Sequence, residues 1–267
     1  MSSEARGYLV IIGGAEDKKG RREILSEFMR LCGERPTIGI ITSATKEPAE
    51  SGKNYEDIFT SLGAAKVIKL LVQDRTEANS DSALEDLRQC DGVFFTGGDQ
   101  LRITTIIGGT KFANKLKELY KRGAVIAGTS AGASVMSETM ITSGNDDDAA
   151  KKCTLKMAPG LALIDKVVID QHFAQRGRIG RLITAIAQNP EMLGVGIDED
   201  TAIVVTPNNE LEVIGSQSVT ILDGRSIAET NISDLAPDEL LAVFNMILHV
   251  LPAGYGYDLQ EHKPFRL

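Results

Sequence analysis

A serine hydroxyl becomes a nucleophile only where a base can take its proton and the backbone holds it clear of its neighbours. Gly128-Thr129-Ser130-Ala131-Gly132 satisfies G-x-S-x-G, the pattern of a sharp turn from a strand into a helix. A residue lifted out of such a turn has strained backbone angles and close neighbours, so the flanking positions must lack bulk. Ala131, Gly132 and Ala133 let the following helix pack close to the strand, with its N-terminal N–H groups aimed at an oxyanion beside Ser130. The same pentapeptide also suits a plain glycine-rich turn with a serine N-cap, so the rest of the chain must supply the base.

Three histidines are present. His249 falls in an apolar stretch that reads as a final helix, and His262 in a polar tail, so both are assigned to structure or solvent. His172 stands at the end of a strand-like run, Val-Val-Ile-Asp, between Gln171 and Phe173. A histidine there could equally be a core residue with its hydrogen bonds satisfied, but a strand end shared with Ser130 favours the base. A third group must orient that base. Asp198, Glu199 and Asp200 follow another strand-like run, and on chemistry alone all three are eligible, as is a solvated acidic loop. The order serine, histidine, acid differs from the usual hydrolase order, which does not decide, because this geometry recurs in several chain orders.

The elements that must position these residues are legible from periodicity. Residues 8–12 read as a strand running into Gly13-Gly14-Ala15-Glu16-Asp17, and residues 21–31 as a helix through Ile24, Leu25, Phe28 and Leu31. Strands over 37–41, 66–71 and 91–96 alternate with helices over the region of Tyr55 to Leu62 and over 80–90, and the last of these strands opens into Gly97-Gly98-Asp99-Gln100. A helix over 111–122 then leads into the strand before Ser130. This alternation predicts a doubly wound, mostly parallel α/β sheet, whose ligands sit beyond the carboxyl ends of the strands. After a polar loop over 142–152, the second half reads as strands over 166–170 and 193–197, a helix over 176–188, and a hairpin around Pro207-Asn208-Asn209 that extends the sheet antiparallel. A helix is predicted over 237–251. No repeat or linker interrupts the chain, so 1–267 reads as one domain.

Composition narrows the function classes. The net charge of −8 and the absence of Trp argue against a nucleic-acid or anionic-membrane binder. Cys32, Cys90 and Cys153 lie far apart with no C-x-x-C pair, which suits a reducing compartment and neither a disulfide framework nor a metal site. No apolar run approaches a membrane span and no signal pattern opens the chain, so a cytoplasmic protein without metal or cofactor is expected.

Five motifs in order are more specific than one G-x-S-x-G: Val-Ile-Ile-Gly-Gly-Ala-Glu-Asp-Lys, Phe-Thr-Gly-Gly-Asp-Gln-Leu, Ala-Gly-Thr-Ser-Ala-Gly-Ala, Asp-Gln-His-Phe with three arginines after it, and Gly-Ile-Asp-Glu-Asp-Thr-Ala. Together, from about Tyr8 to Gly224, they resemble the cyanophycinase family, serine-type peptidases that degrade a poly-aspartate carrying arginine on each β-carboxyl. The related aspartyl dipeptidases (peptidase E) are similar in the Gly-Gly and Ser motifs, and the Asp-Gln-His-Phe and arginine run favours cyanophycinase. The resemblance implies Ser130 as nucleophile, His172 as general base, Glu199 as its orienter, and the N–H groups of Gly98 and Ala131 as oxyanion donors. It further implies Gln100, Asp170, Gln171, Arg176, Arg178 and Arg181 as substrate-binding residues, cyanophycin as substrate, and a homodimer. An acidic residue such as Asp170 could pair with the substrate guanidinium and an arginine with its carboxylate. At their spacing on one helix the three arginines cannot share a face, which leaves at least one for structure. A dipeptidase on short aspartyl peptides and a non-catalytic binding module with Gly-Gly anion nests remain the alternatives.

Overall fold

Leu-Val-Ile-Ile has no polar residue to face water, so it must be covered on both sides, and β1 (Leu9–Ile12) lies fully buried inside a nine-stranded sheet. The structure, a computed structural model, describes residues 6–146, 149–152 and 155–267. Asp147 and Asp148 of the polar loop, and Cys153, lie outside the described residues. The first half continues with α1 (Glu23–Leu31), β2 (Thr37–Ile41), α2 (Pro48–Ser61), β3 (Lys66–Leu70), α3 (Asp81–Arg88) and β4 (Gly92–Phe95). Then come α4 (Gln100–Ile107), α5 (Lys111–Lys121), β5 (Val125–Thr129) and the single-turn α6 (Ala131–Ser134). The second half holds β6 (Thr139–Gly144), β7 (Leu155–Pro159), β8 (Val167–Gln171), α7 (Ile179–Gln188), β9 (Leu193–Ile197), β10 (Thr201–Val205) and β11 (Glu210–Gly215). It closes with β12 (Ser218–Asp223), β13 (Glu229–Thr230), β14 (Val243–Phe244), β15 (Ile247–Pro252), β16 (Tyr255–Asp258) and β17 (Lys263–Arg266).

The expected parallel sheet is present in the order β3-β2-β4-β5-β1, and β10, β11, β16 and β17 extend it antiparallel beyond β1. Register places the site. Ile12 lies opposite Thr129 and Phe95 opposite Gly128, so the turns after β1, β4 and β5 leave the sheet side by side. The strands β8 and β9 pair in parallel in a second, four-stranded sheet with β12 and β15. Its inner face shares one apolar cluster with the first sheet, with Ile169, Val195 and Ile221 beside Leu9, Ile11 and Ile126.

The predicted helix over 237–251 is not formed. That stretch holds β14 and β15 instead, with β15 paired along β12 from Ile247 to Pro252. Asp238 and Asn245 have φ of 66°, which stops a right-handed helix, and six residues of pairing override the helical spacing of the apolar side chains. His249 therefore sits on a strand, its ring 5.7 Å from that of Tyr257, and the ring of His262 is 3.4 Å from Asp223. Part of the polar loop is strand as well: β6 runs through Gly144 and pairs antiparallel with β7. The helix expected from residue 176 begins only at Ile179. Ahead of it come a tight turn over Ala174–Arg176 and a left-handed Gly177.

Candidate active site

Ser130 sits directly after β5 with φ 53° and ψ −111°, a conformation a residue adopts only when its surroundings hold it there. Its N–H donates to Ile12 O at 3.0 Å, which ties the turn to the end of β1. His172, just past β8, is also left-handed (φ 49°), and its N–H donates to Gly13 O at 2.8 Å. These two constrained residues aim their side chains at each other, with His172 Nε2 3.0 Å from Ser130 Oγ. On the far side of the ring, Nδ1 is 2.6 Å from Glu199 Oε1. An ionised carboxylate can only accept, so it draws the ring proton to Nδ1 and leaves the Nε2 lone pair for the serine proton.

The three acids after β9 separate by geometry. Asp198 accepts from Ala174 N at 2.9 Å and from Ser218 Oγ at 2.9 Å, so both its oxygens serve the loop. Asp200, left-handed at φ 49°, accepts from Asp17 N at 2.8 Å. Glu199 alone of the three meets the imidazole.

Gly98 and Gly97 stand beside the serine: a Cβ built on Gly97 would be 3.5 Å from Ser130 Cβ. Gly98 has φ +143°, and a Cβ there would fall 2.3 Å from Ala44 O, so only glycine fits. Among the described residues the N–H groups of Gly98 and Ala131 donate to no protein acceptor. Ala131 is buried and Gly98 is exposed, and a developing oxyanion at Ser130 would accept from both N–H groups. Because α6 is a single turn, any such effect would come from the local N–H groups rather than from a long helix dipole.

A crevice of about 260 Å³ opens at Ser130, bordered by Gly98, Gln100, Gln171 and the three arginines. The left-handed Gly177 redirects the chain between Arg176 and Arg178, so residues that could not share one helix face line one cavity. Arg176 is exposed, while Arg178 and Arg181 are buried. Asp170 is 1% exposed and faces away from the substrate space. Both its oxygens are taken by Arg181, through Nε at 2.6 Å and through Nη2, and Arg178 Nη1 lies 3.4 Å away. This corrects the expectation that Asp170 pairs with a substrate guanidinium: it is the buried counter-ion of the arginines. Among the described residues, the carboxylate that does border the crevice is Asp146, held by Arg178 Nε at 2.7 Å and Arg181 Nη1 at 3.1 Å. Partial burial works against its charge, but the Arg178 hydrogen bond and the neighbouring guanidinium charges outweigh it and hold its carboxyl below the usual range. Gln100 is fixed by its amide nitrogen to Ile141 O and Thr142 O, and Gln171 Oε1 lies 3.4 Å from Ser130 Oγ.

The model of peptidase family S51 matches residues 9–214. This chain belongs to peptidase family S51. The S51 chain is a serine peptidase, and its curated relatives include cyanophycinases. It is 41% identical over 260 residues to the cyanophycinase of Synechococcus elongatus, covering 97% of this chain and 81% of that one. To the cyanophycinase of Geminocystis herdmanii it is 39% identical, covering 99% and 98%. Among solved structures, a peptidase from an acI-B1 actinobacterium superposes with a TM-score of 0.63 at 21% identity over 99% of this chain and 98% of that one. A putative peptidase E protein of Listeria monocytogenes gives 0.53 at 18% identity over 80% and 100%. These two show the fold.

Sequence reasoning about the S51 chain passed over Asp146, which carried no signal beyond its place in an acidic loop. It also missed why the first Gly-Gly turn is needed. Gly14 has φ +106°, and a Cβ on it would stand 2.3 Å from His172 Cε1. Gly14→Ala is therefore expected to displace the imidazole, lowering kcat by roughly 100-fold. Circular dichroism should keep its native form. Wild-type kcat in this variant would show that the contact is not needed.

Proposed function

We propose that this S51 peptidase hydrolyses cyanophycin, releasing β-aspartyl-arginine dipeptides through an acyl-enzyme on Ser130. The observation that carries the reading is the aligned Ser130, His172 and Glu199 set at the mouth of an arginine-lined crevice. Likeness to cyanophycinases over nearly the whole chain supports it.

In this mechanism His172 Nε2 takes the Ser130 proton as Oγ attacks the backbone carbonyl carbon. The carbonyl oxygen becomes an oxyanion held by the N–H groups of Gly98 and Ala131, and Glu199 stabilises the imidazolium. Collapse breaks the C–N bond, and His172 delivers the proton to the leaving amine. Water, deprotonated by His172, then attacks the acyl-enzyme and frees the acid and Ser130. Each cyanophycin unit brings carboxylate and guanidinium. The arginine face suits the first, and Asp146 is placed to meet the second. The wider reading is of one domain, resting on the shared apolar cluster of the two sheets, acting in the cytoplasm as a homodimer on family precedent. Among the described residues no helix is long and apolar enough to cross a membrane.

The test is turnover of cyanophycin beside unmodified poly-aspartate, for wild type and three variants. Arg176 is exposed, so Arg176→Ala should leave thermal unfolding nearly unchanged while raising KM for cyanophycin roughly tenfold. Asp170→Ala and Arg181→Ala each strand a buried charge and should cost about 3–5 kcal/mol of stability as well as activity. Equal wild-type rates on the two polymers, or an unchanged KM in Arg176→Ala, would remove the crevice from substrate selection.

A further inference from the structure

The end of β1 and the turn after it touch the strand ends that carry Ser130, His172 and Glu199. Besides the bonds from Ser130 N and His172 N, Gly14 O accepts from Asp200 N at 2.9 Å, next to Glu199, and Asp17 N donates to Asp200. At the centre of this turn is Glu16, with a side chain only 1% exposed, a carboxylate the chemistry does not use. Its Oε2 accepts from Thr129 Oγ1 at 2.5 Å, and Thr129 is the residue before the serine. Its Oε1 accepts from Tyr55 OH on α2, and Lys18 Nζ lies 3.4 Å away.

A buried carboxylate is costly unless it is paired and hydrogen-bonded, and here the donors come from two elements far apart in sequence. The consequence is mechanical. Without Glu16, no side-chain hydrogen bond among the described residues would join the turn after β1 to the nucleophile strand, and Ser130 would lose the anchor beside its strained backbone. We propose that Glu16 is a positioning residue: through Thr129 it sets the Ser130 hydroxyl against His172, and it acts on the rate of Ser130 attack rather than on substrate affinity. This rests on Ser130 being the nucleophile of the proposed function.

The experiment uses two readouts on the full-length protein, steady-state turnover of cyanophycin and the labelling rate of Ser130 by an alkyl fluorophosphonate. Thr129→Val keeps size and β-branching but removes the hydroxyl. It should lower kcat and the labelling rate constant in step, roughly 10-fold to 100-fold, with KM within about threefold of wild type. Thr129→Ser, which restores a hydroxyl, should recover most of that loss. Glu16→Gln, which keeps an acceptor, should retain more activity than Glu16→Ala. If Glu16→Ala fails to fold, the Thr129 pair still decides. Unchanged kcat and labelling in Thr129→Val would overturn the proposal, as would a loss that Thr129→Ser does not recover. The labelling arm also separates the two readings. Wild type that labels at Ser130 yet leaves cyanophycin intact would refute the substrate, while the labelling rates of the variants would still support or overturn the role of Glu16. Absence of labelling and turnover in wild type would overturn both.

Discussion

Ser130→Ala is expected to lower kcat on cyanophycin by about 10⁴-fold or more, leaving KM and the unfolding temperature close to wild type. The size follows from what the change removes. The oxyanion donors and the arginine crevice stay, so binding and some polarisation of the carbonyl persist, but no covalent route remains. The fold should be indifferent, because among the described residues the lost hydroxyl has only His172 Nε2 at 3.0 Å and Gln171 Oε1 at 3.4 Å as partners. Single-turnover assays on wild type and variant check this, with intact-mass analysis after fluorophosphonate treatment locating the adduct. Comparable kcat in the two proteins would take the nucleophile away from Ser130.

Glu199→Gln should be the next most damaging change, lowering kcat by roughly 10³-fold to 10⁴-fold. A glutamine can present its NH₂ to Nδ1 and so favour the opposite tautomer, which puts the ring proton on Nε2 where the serine proton must go. Loss of charge also removes the partner of the imidazolium. Asp198→Asn and Asp200→Asn act differently, since their oxygens hold Ala174, Ser218 and Asp17 rather than the ring. Those two should cost about 1–2 kcal/mol of stability at most and leave kcat within about tenfold. Measuring kcat for all three variants at one pH decides it: a larger drop for either aspartate than for Glu199 would reassign the orienting acid.

Much of this site was legible in the chain because strand ends announce themselves. Apolar runs closed by Gly-Gly or by Gly-Thr-Ser mark where a parallel sheet releases its loops, and the scarcity of histidine left His172 with few competitors. The choice among Asp198, Glu199 and Asp200 was not legible from chemistry. It depends on the left-handed turn at Asp200 and on Ser218 arriving from β12, a partner far off in sequence. Burial of Asp170 was hidden for a similar reason: it is set by Arg178 and Arg181, which reach it only because Gly177 redirects the chain. At the C-terminus, helical spacing of apolar residues lost to pairing of β15 along β12, a non-local contact that local periodicity does not contain.

The most direct test of the whole account is to incubate the purified protein with cyanophycin and identify the soluble products by mass spectrometry, with Ser130→Ala alongside. β-Aspartyl-arginine dipeptide should accumulate with the wild type, and the polymer should stay intact with the variant. Free arginine with a bare poly-aspartate remnant, or equal dipeptide release by Ser130→Ala, would contradict it.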